Sequence, residues 1–169
     1  NIGAAPTAGT ITGPSSVCTG AKITLADITT GGVWSSSNPA VASVGSTGIV
    51  TGVATGTVTI SYTVTNSCGT ATATKALTVN PSPDAGIITG PTSICTGTTT
   101  LYTTSGTGGA WSMSNSNATV TSGGSVTAVT AGMDTLIYTV TNSCGTATST
   151  LAISIGSSAS VTPVTGAAA

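Results

Sequence analysis

The sequence predicts an all-β protein made of two tandem β-sandwich modules joined by a short proline-containing linker. Three observations predict it. Tyr62–Thr72, reading Tyr-Thr-Val-Thr-Asn-Ser-Cys-Gly-Thr-Ala-Thr, recurs letter for letter at Tyr138–Thr148. An identical block repeated at a spacing of 76, close to half of the 169-residue chain, marks a repeated module. The composition is that of strands and turns: β-branched Val and Ile supply most of the apolar residues, with Thr, Ser, Gly and Ala around them, while Glu, Arg and Gln are absent. Finally, Cys18 and Trp34 return 77 residues later as Cys95 and Trp111.

Each element follows from its local pattern. Ala8–Gly20 matches Ala85–Gly97 and opens each module with a strand that a Gly-Pro step interrupts, as edge strands often are. Ile23 and Leu25 alternate with polar neighbours as a second strand, with Leu101 expected in the matching place. Trp34 and Trp111 follow Gly-Gly pairs and are expected on a central strand as core anchors, a sugar-stacking platform being the alternative. Val41, Val44, Ile49 and Val53 make short strands between glycine turns, matched at Val126 and Val129 once one residue is lost between Trp111 and Gly124. Val58, Ile60, Tyr62 and Val64 share one face of the next strand, with the threonines on the other. Tyr62 and Tyr138 are therefore expected core anchors. A turn at Asn66–Gly69 leads to the last strand, where Lys75 stands opposite Leu151 in the alignment and is expected to lay its stem on the core edge.

These patterns set the boundaries: a lead at 1–7, module 1 at 8–80, a linker at 81–84, module 2 at 85–156 and a tail at 157–169. Asn80-Pro-Ser-Pro-Asp84 is stiff enough to set the modules end to end. The tail from Ser160 loosely echoes a first strand with no module behind it, a candidate for donation to a neighbour.

Charge excludes several functions. Two Lys and three Asp make 3% of the chain, against about 25% in ordinary globular proteins. A net charge of −1 offers no basic stripe for nucleic acid, and no run reaches the roughly 18 apolar residues that span a bilayer. With no His and no Glu, neither a triad nor a paired acid and base can be assembled. Asp27, Asp84 and Asp134 fall at unrelated places in the repeat, so no calcium cage is expected, and no Cys-x-x-Cys pair suggests zinc. No cofactor is expected. Two cysteines per module at matched positions, Cys18 with Cys68 and Cys95 with Cys144, favour one disulfide per module and an oxidising, extracellular or cell-surface setting; reduced, buried thiols are the alternative.

Trp34-Ser-Ser-Ser-Asn-Pro-Ala-Val-Ala-Ser-Val44 and Gly48-Ile-Val-Thr-Gly-Val-Ala-Thr-Gly-Thr-Val-Thr-Ile60 carry a resemblance to the bacterial immunoglobulin-like domains of group 2. The chain is similar to tandem modules of very large secreted surface proteins of Bacteroidota. Module 2 departs from the pattern where Asn38-Pro39 becomes Asn115-Ser116 and Val58 becomes Asp134. The resemblance implies immunoglobulin-like sandwiches used in stalks, adhesins and fibres, with no active site to carry over. About seven short strands per 76 residues agree with it. The disulfide could lie between the sheets or strap the first strand to the last hairpin. Closing a loop of roughly 50 residues would stabilise a module by about 4 kcal/mol, so reduction is expected to melt each module.

Asp134-Thr135-Leu136 makes Thr135 a candidate O-glycosylation site, and Asn117-Ala-Thr119 makes Asn117 a candidate N-glycosylation site; plain strand and loop are the alternative for both. The sequence thus points to a non-enzymatic structural module of an extracellular filament, pilus-like fibre or surface stalk. It would assemble end to end with copies of itself or neighbouring repeats, with strand addition as one route. An adhesin module binding glycans or matrix, and a spacer of a larger secreted enzyme, are the alternatives.

Overall fold

Alternation of Val, Ile and Tyr with Thr gives each module one long hairpin with a single apolar face, and the other strands assemble against it. The computed structural model describes residues 4–158, and within them the chain forms sixteen strands and no helix. The candidate donated strand from Ser160 lies outside the described residues. The chain divides into two units between Ser82 and Pro83.

Module 1 contains β1 (Ser16–Cys18), β2 (Lys22–Thr24), β3 (Val33–Ser36), β4 (Ala42–Val44), β5 (Ile49–Gly52), β6 (Gly56–Asn66) and β7 (Gly69–Asn80). One sheet has the order β1-β7-β6-β3 and the other β2-β5-β4. The β6–β7 hairpin pairs from Gly56↔Val79 to Asn66↔Gly69 and buries Val58, Ile60, Tyr62, Leu77 and Val79 on one face. Val17, Leu25, Ala42 and Val50 from the remaining strands close the core. Lys75 is half-buried, as is Leu151 at the equivalent place. Proline cannot continue a ladder, and the Gly13-Pro14 step serves to change sheets: Thr12 bridges Ala26 beside β2, after which β1 runs parallel to β7.

Module 2 repeats the plan with β8 (Ile88–Thr89), β9 (Ser93–Cys95), β10 (Thr99–Leu101), β11 (Thr103–Thr104), β12 (Ala110–Met113), β13 (Ala118–Val120), β14 (Ser125–Ala128), β15 (Gly132–Asn142) and β16 (Gly145–Gly156). Its sheets are β9-β16-β15-β12 and β10-β14-β13, and β8 pairs with β11 where module 1 has a single bridge. Both modules are therefore immunoglobulin-like β-sandwiches.

Three details differ from the sequence reading. Leu101 is not the core residue of its strand; it is exposed, and Tyr102 fills the place of Leu25. The core position lies one residue later than the leucine, where the Tyr102 amide donates to Gly124 O as that of Leu25 donates to Gly48 O. Trp34 and Trp111 sit on β3 and β12, edge strands of their sheets rather than central ones, and are half-buried. The missing residue of module 2 falls between Asn115 and Asn117, where Asn38–Val41 of module 1 is one residue longer. There Asn38 O accepts from the amides of Val41 and Ala42, at 3.0 and 3.1 Å. In module 2 the amide of Ala118 donates instead to Asp134 Oδ2, at 3.0 Å.

Candidate functional site

Two places concentrate chemistry: the poles of each module and a cleft beside Trp34. The poles follow from strand direction. Because β1 is parallel to β7, with Cys18 opposite Asn80, the first cysteine lies where the chain leaves the module. The second cysteine lies at the far end of the same hairpin, in the Ser67-Cys68 tip between Asn66 and Gly69. Asn66 shapes this tip by accepting from the Cys68 amide at 2.8 Å, and its Nδ2 donates to Ala4 O of the incoming lead at 3.0 Å. The tip is thus the entry pole. Module 2 is built alike: Cys95 stands opposite Gly156, and Asn142 Oδ1 accepts from the Cys144 amide at 2.8 Å.

This arrangement corrects the expectation of one disulfide per module. The twelve residues from the tip to Asn80 span about 36 Å of strand, whereas bonded cysteines have Cα atoms about 5.5–6 Å apart. Cys18 cannot reach Cys68, nor Cys95 reach Cys144, so neither an inter-sheet bond nor a strap exists within a module. Cys18 and Cys144 are disulfide-bonded, while Cys68 and Cys95 lie exposed, Cys95 as a free thiol. The matched spacing was legible in sequence; the strand direction that separates the paired residues was not.

The cleft, about 240 Å³, opens in module 1 among Thr24, Asp27, Trp34, Ser46, Thr47 and Tyr62. The Trp34 and Tyr62 rings lie 4.7 Å apart at 48°. Tyr62, buried in the core, anchors the preceding loop: its hydroxyl donates to Thr29 O and accepts from Gly32 N, both at 2.8 Å. A side chain at residue 32 would strike the tyrosine ring, so glycine is required there. Gly48, at φ 77°, turns the chain under Trp34 where a Cβ would collide with Leu25 O. Asp27 Oδ1 accepts from Gly9 N at 3.1 Å and Thr29 N at 2.8 Å, whereas Oδ2 is buried without a hydrogen-bond partner. A flat indole face with serine and threonine hydroxyls lines the cleft, a surface suited to a polyhydroxylated ligand. A single carboxylate without a second acid or an imidazole provides no proton-transfer pair.

Module 2 keeps the aromatic pair, Trp111 and Tyr138 at 4.7 Å and 55°, with Tyr138 OH accepting from Gly109 N at 2.8 Å. It replaces Asp27 by Thr104, whose hydroxyl donates to Ala85 O at 2.8 Å and accepts from Gly106 N at 3.1 Å. Tyr102, in the place of Leu25, donates to Pro91 O at 2.7 Å, and its burial raises its pKa above the ordinary value of 10.0. Sequence reading missed Asp27 and Tyr102 as partners because both depend on loop closures distant in the chain.

The candidate glycosylation residues are engaged by structure. Thr135 lies half-buried on β15 between Asp134 and Leu136, both fully inside, and its amide donates to Asp134 Oδ1 at 2.7 Å. Asn117 is half-buried, and its Nδ2 donates to Met133 O at 3.0 Å. Among the described residues no group of three His, Cys, Asp or Glu side chains could hold a metal, and no helix is long and apolar enough to cross a membrane.

Residues 9–77 match the family model of the bacterial Ig-like domain (group 2). No curated protein sequence matches the chain significantly. Among solved structures, the chain is similar to domains 1–6 of the surface layer protein SbsC at 20% identity and a TM-score of 0.33, over 83% of this chain and 24% of that one. A SusE-like surface located polysaccharide binding protein from the Bacteroides thetaiotaomicron heparin utilisation locus is 13% identical over 89% of this chain and 34% of its own, with a TM-score of 0.35. An I-band fragment of titin is 12% identical over 89% of this chain and 64% of its own, with a TM-score of 0.42. The chain thus spans about a quarter to a third of the length of the first two.

Proposed function

We propose that this chain, whose first module belongs to the bacterial Ig-like (group 2) family, is a non-enzymatic structural piece of an extracellular filament or cell-surface stalk. Its modules transmit force from one neighbour to the next. The observation that carries this reading is the shared polarity of the modules. In each, the cysteine-bearing strand near the start, β1 or β9, runs parallel to the last strand, β7 or β16, and the chain enters at one pole and leaves at the other.

Tension applied through entry and exit then draws β1 and β7 past one another. It loads the bonds of Ser15 O with Thr78 N (3.0 Å) and Asn80 O with Thr19 N (2.9 Å) in shear, together rather than one after another. Module 2 has the same pair at Thr92 O with Ser154 N (2.8 Å) and Gly156 O with Thr96 N (2.9 Å). Outward-facing threonines, paired across the hairpin at Thr63–Thr72 and Thr65–Thr70, supply a neutral polar surface without lysine. The test is immunogold electron microscopy of the native material. Label along filaments or stalks outside the cell is expected, and label confined to the cell interior would overturn the proposal.

A second reading, glycan binding, is favoured by the buried, unpartnered Asp27 Oδ2 beside Trp34. It predicts glycan-array binding by the intact chain that Trp34→Ala and Asp27→Asn each abolish while Trp111→Ala does not. No binding by the intact chain would remove this reading and leave the first.

A further inference from the structure

The cleft beside Trp34 carries one charge and no counter-charge. Asp27 is the only acid in its lining, and Lys22 and Lys75, the only basic side chains of the chain, both lie outside it. Two backbone amides, Gly9 N and Thr29 N, answer Asp27 Oδ1, whereas Oδ2 is buried and meets no donor. A charge of one sign between low-dielectric walls focuses its field into the opening. Beside it stands the half-buried indole of Trp34, and an aromatic face attracts cations. The opposite rim is the turn Gly45–Gly48, closed by Gly48 N to Gly45 O at 3.0 Å and Gly45 N to Ile49 O at 2.9 Å. It presents Ser46 and Thr47, both exposed, and their hydroxyls bond no other described residue.

We propose that this cleft takes a hexosamine with a free, protonated amine, as one unit of a β-linked glucosamine chain, in preference to a neutral or an acidic sugar. The inference rests on the glycan-binding reading and gives it a substrate class. A cavity of about 240 Å³ falls below the range of about 300–1,000 Å³ typical of drug-sized ligands, so it admits a single sugar ring. The indole stacks on the apolar face of that ring, and Ser46 and Thr47 bond its hydroxyls; both contacts serve any hexose alike. The amine is what discriminates. An ammonium group is attracted by the Trp34 ring and by the Asp27 charge, whereas a carboxylate or sulfate is repelled by both. Asp27 acts through its field rather than by contact, its unpartnered oxygen lying beneath the surface.

Module 2 is the internal control. It keeps the Trp111–Tyr138 pair, but Thr104 stands in the place of Asp27 and Gly123 in the place of Thr47. The aromatic platform is retained there, and the charge and one rim hydroxyl are gone.

The experiment is isothermal titration calorimetry of the full chain at low salt and pH about 6, where an amine is protonated. The probes are the β-1,4-linked glucosamine tetramer, its N-acetylated counterpart and a galacturonate tetramer. The glucosamine tetramer is expected to bind, the N-acetylated one about tenfold more weakly, and the galacturonate more weakly still. Added salt should weaken the first and leave the second unchanged. Asp27→Asn, which keeps an oxygen acceptor for the Gly9 and Thr29 amides, should weaken the glucosamine tetramer about tenfold. Thr47→Lys, at an exposed rim position, should do the same without touching the core, Trp34→Ala should abolish binding, and Trp111→Ala should change nothing. Equal affinity for the first two probes, tighter binding of galacturonate, or full affinity for the glucosamine tetramer in both Asp27→Asn and Thr47→Lys would overturn the amine preference and leave glycan binding standing. Failure of the intact chain to bind any of the three probes would remove the preference and the glycan reading together.

Discussion

Modules 1 and 2 share topology, hairpin register and an identical eleven-residue block, yet at two buried positions an apolar residue of module 1 becomes a polar one in module 2. Where module 1 buries Val58, module 2 buries Asp134; where module 1 buries Leu25, module 2 buries Tyr102. A buried polar atom costs about 1–3 kcal/mol unless it finds a partner, and each substitution comes with its partners. Asp134 receives Ser114 Oγ at 2.9 Å, Asn115 N at 3.1 Å, Thr135 N at 2.7 Å and Ala118 N at 3.0 Å. The Ala118 amide needs this acceptor because the loop is one residue shorter and cannot curl back as Asn38–Ala42 does. The deletion and the buried carboxylate are thus one event: a side chain has taken over the work of a carbonyl. A sandwich tolerates a shortened loop when the backbone groups that the deletion strands are supplied from elsewhere.

The largest expected break in this symmetry comes from Asp134→Val, which restores the residue of module 1 without its loop. Several donors lose a charged acceptor, so a loss of about 3 kcal/mol or more is expected in module 2. Thermal melting of the full chain, with Trp34→Phe leaving Trp111 as the reporter of module 2, checks it. The same experiment with Trp111→Phe should show module 1 unmoved; an unshifted module 2 would mean that the carboxylate is dispensable.

Gly32→Ala and Gly109→Ala sharpen what the modules share. Each added methyl meets the ring of Tyr62 or Tyr138, whose hydroxyl holds that same glycine's amide. Displacing the ring forfeits the hydrogen bond and opens the core, for about 2 kcal/mol in the affected module. Equal shifts in the two single-tryptophan reporters are expected. A shift in only one would show that the tyrosine anchors have diverged.

A smaller effect separates the modules by pH. Burial holds the Tyr102 hydroxyl above its ordinary pKa of 10.0. The folded state therefore keeps a proton that the unfolded chain gives up. Its stability is intact below pH about 10 and falls as pH rises from there towards the folded pKa. Leu25 offers no such group, so alkaline denaturation should begin in module 2, and Tyr102→Leu should remove that head start. Retention of the difference in the variant would assign it elsewhere.

The repeat, the sandwich class, the long hairpin and its apolar face were legible because period-2 alternation reads directly as one buried side of a strand. The partners of Asp27, Tyr102 and Asp134 were not, because these three bonds cross separations of 18, 11 and 20 residues along a chain whose path depends on the assembled core. Leu101 shows the same limit at its smallest scale. One step of register moves a side chain from core to solvent, and apolar character alone chose the wrong neighbour. The cysteines failed for a related reason: spacing in sequence reports which residues correspond between modules, while reach is governed by direction along β7 and β16.

That last point yields the smallest expected effect, and the most diagnostic one. A disulfide within each module would close a loop of roughly 50 residues and stabilise it by about 4 kcal/mol, so reductant would melt both modules. With the cysteines at opposite poles no such loop exists. Each module is held by its own core, Leu25, Ile60 and Leu77 in one, Tyr102, Leu136 and Ile153 in the other, all among the least exposed of the described residues. Strong reductant should therefore shift the melting of either tryptophan reporter by about 1 kcal/mol or less, the scale of a surface change. Unchanged melting places the sulfur chemistry outside the module cores, whereas a joint drop in melting would return it to their interiors.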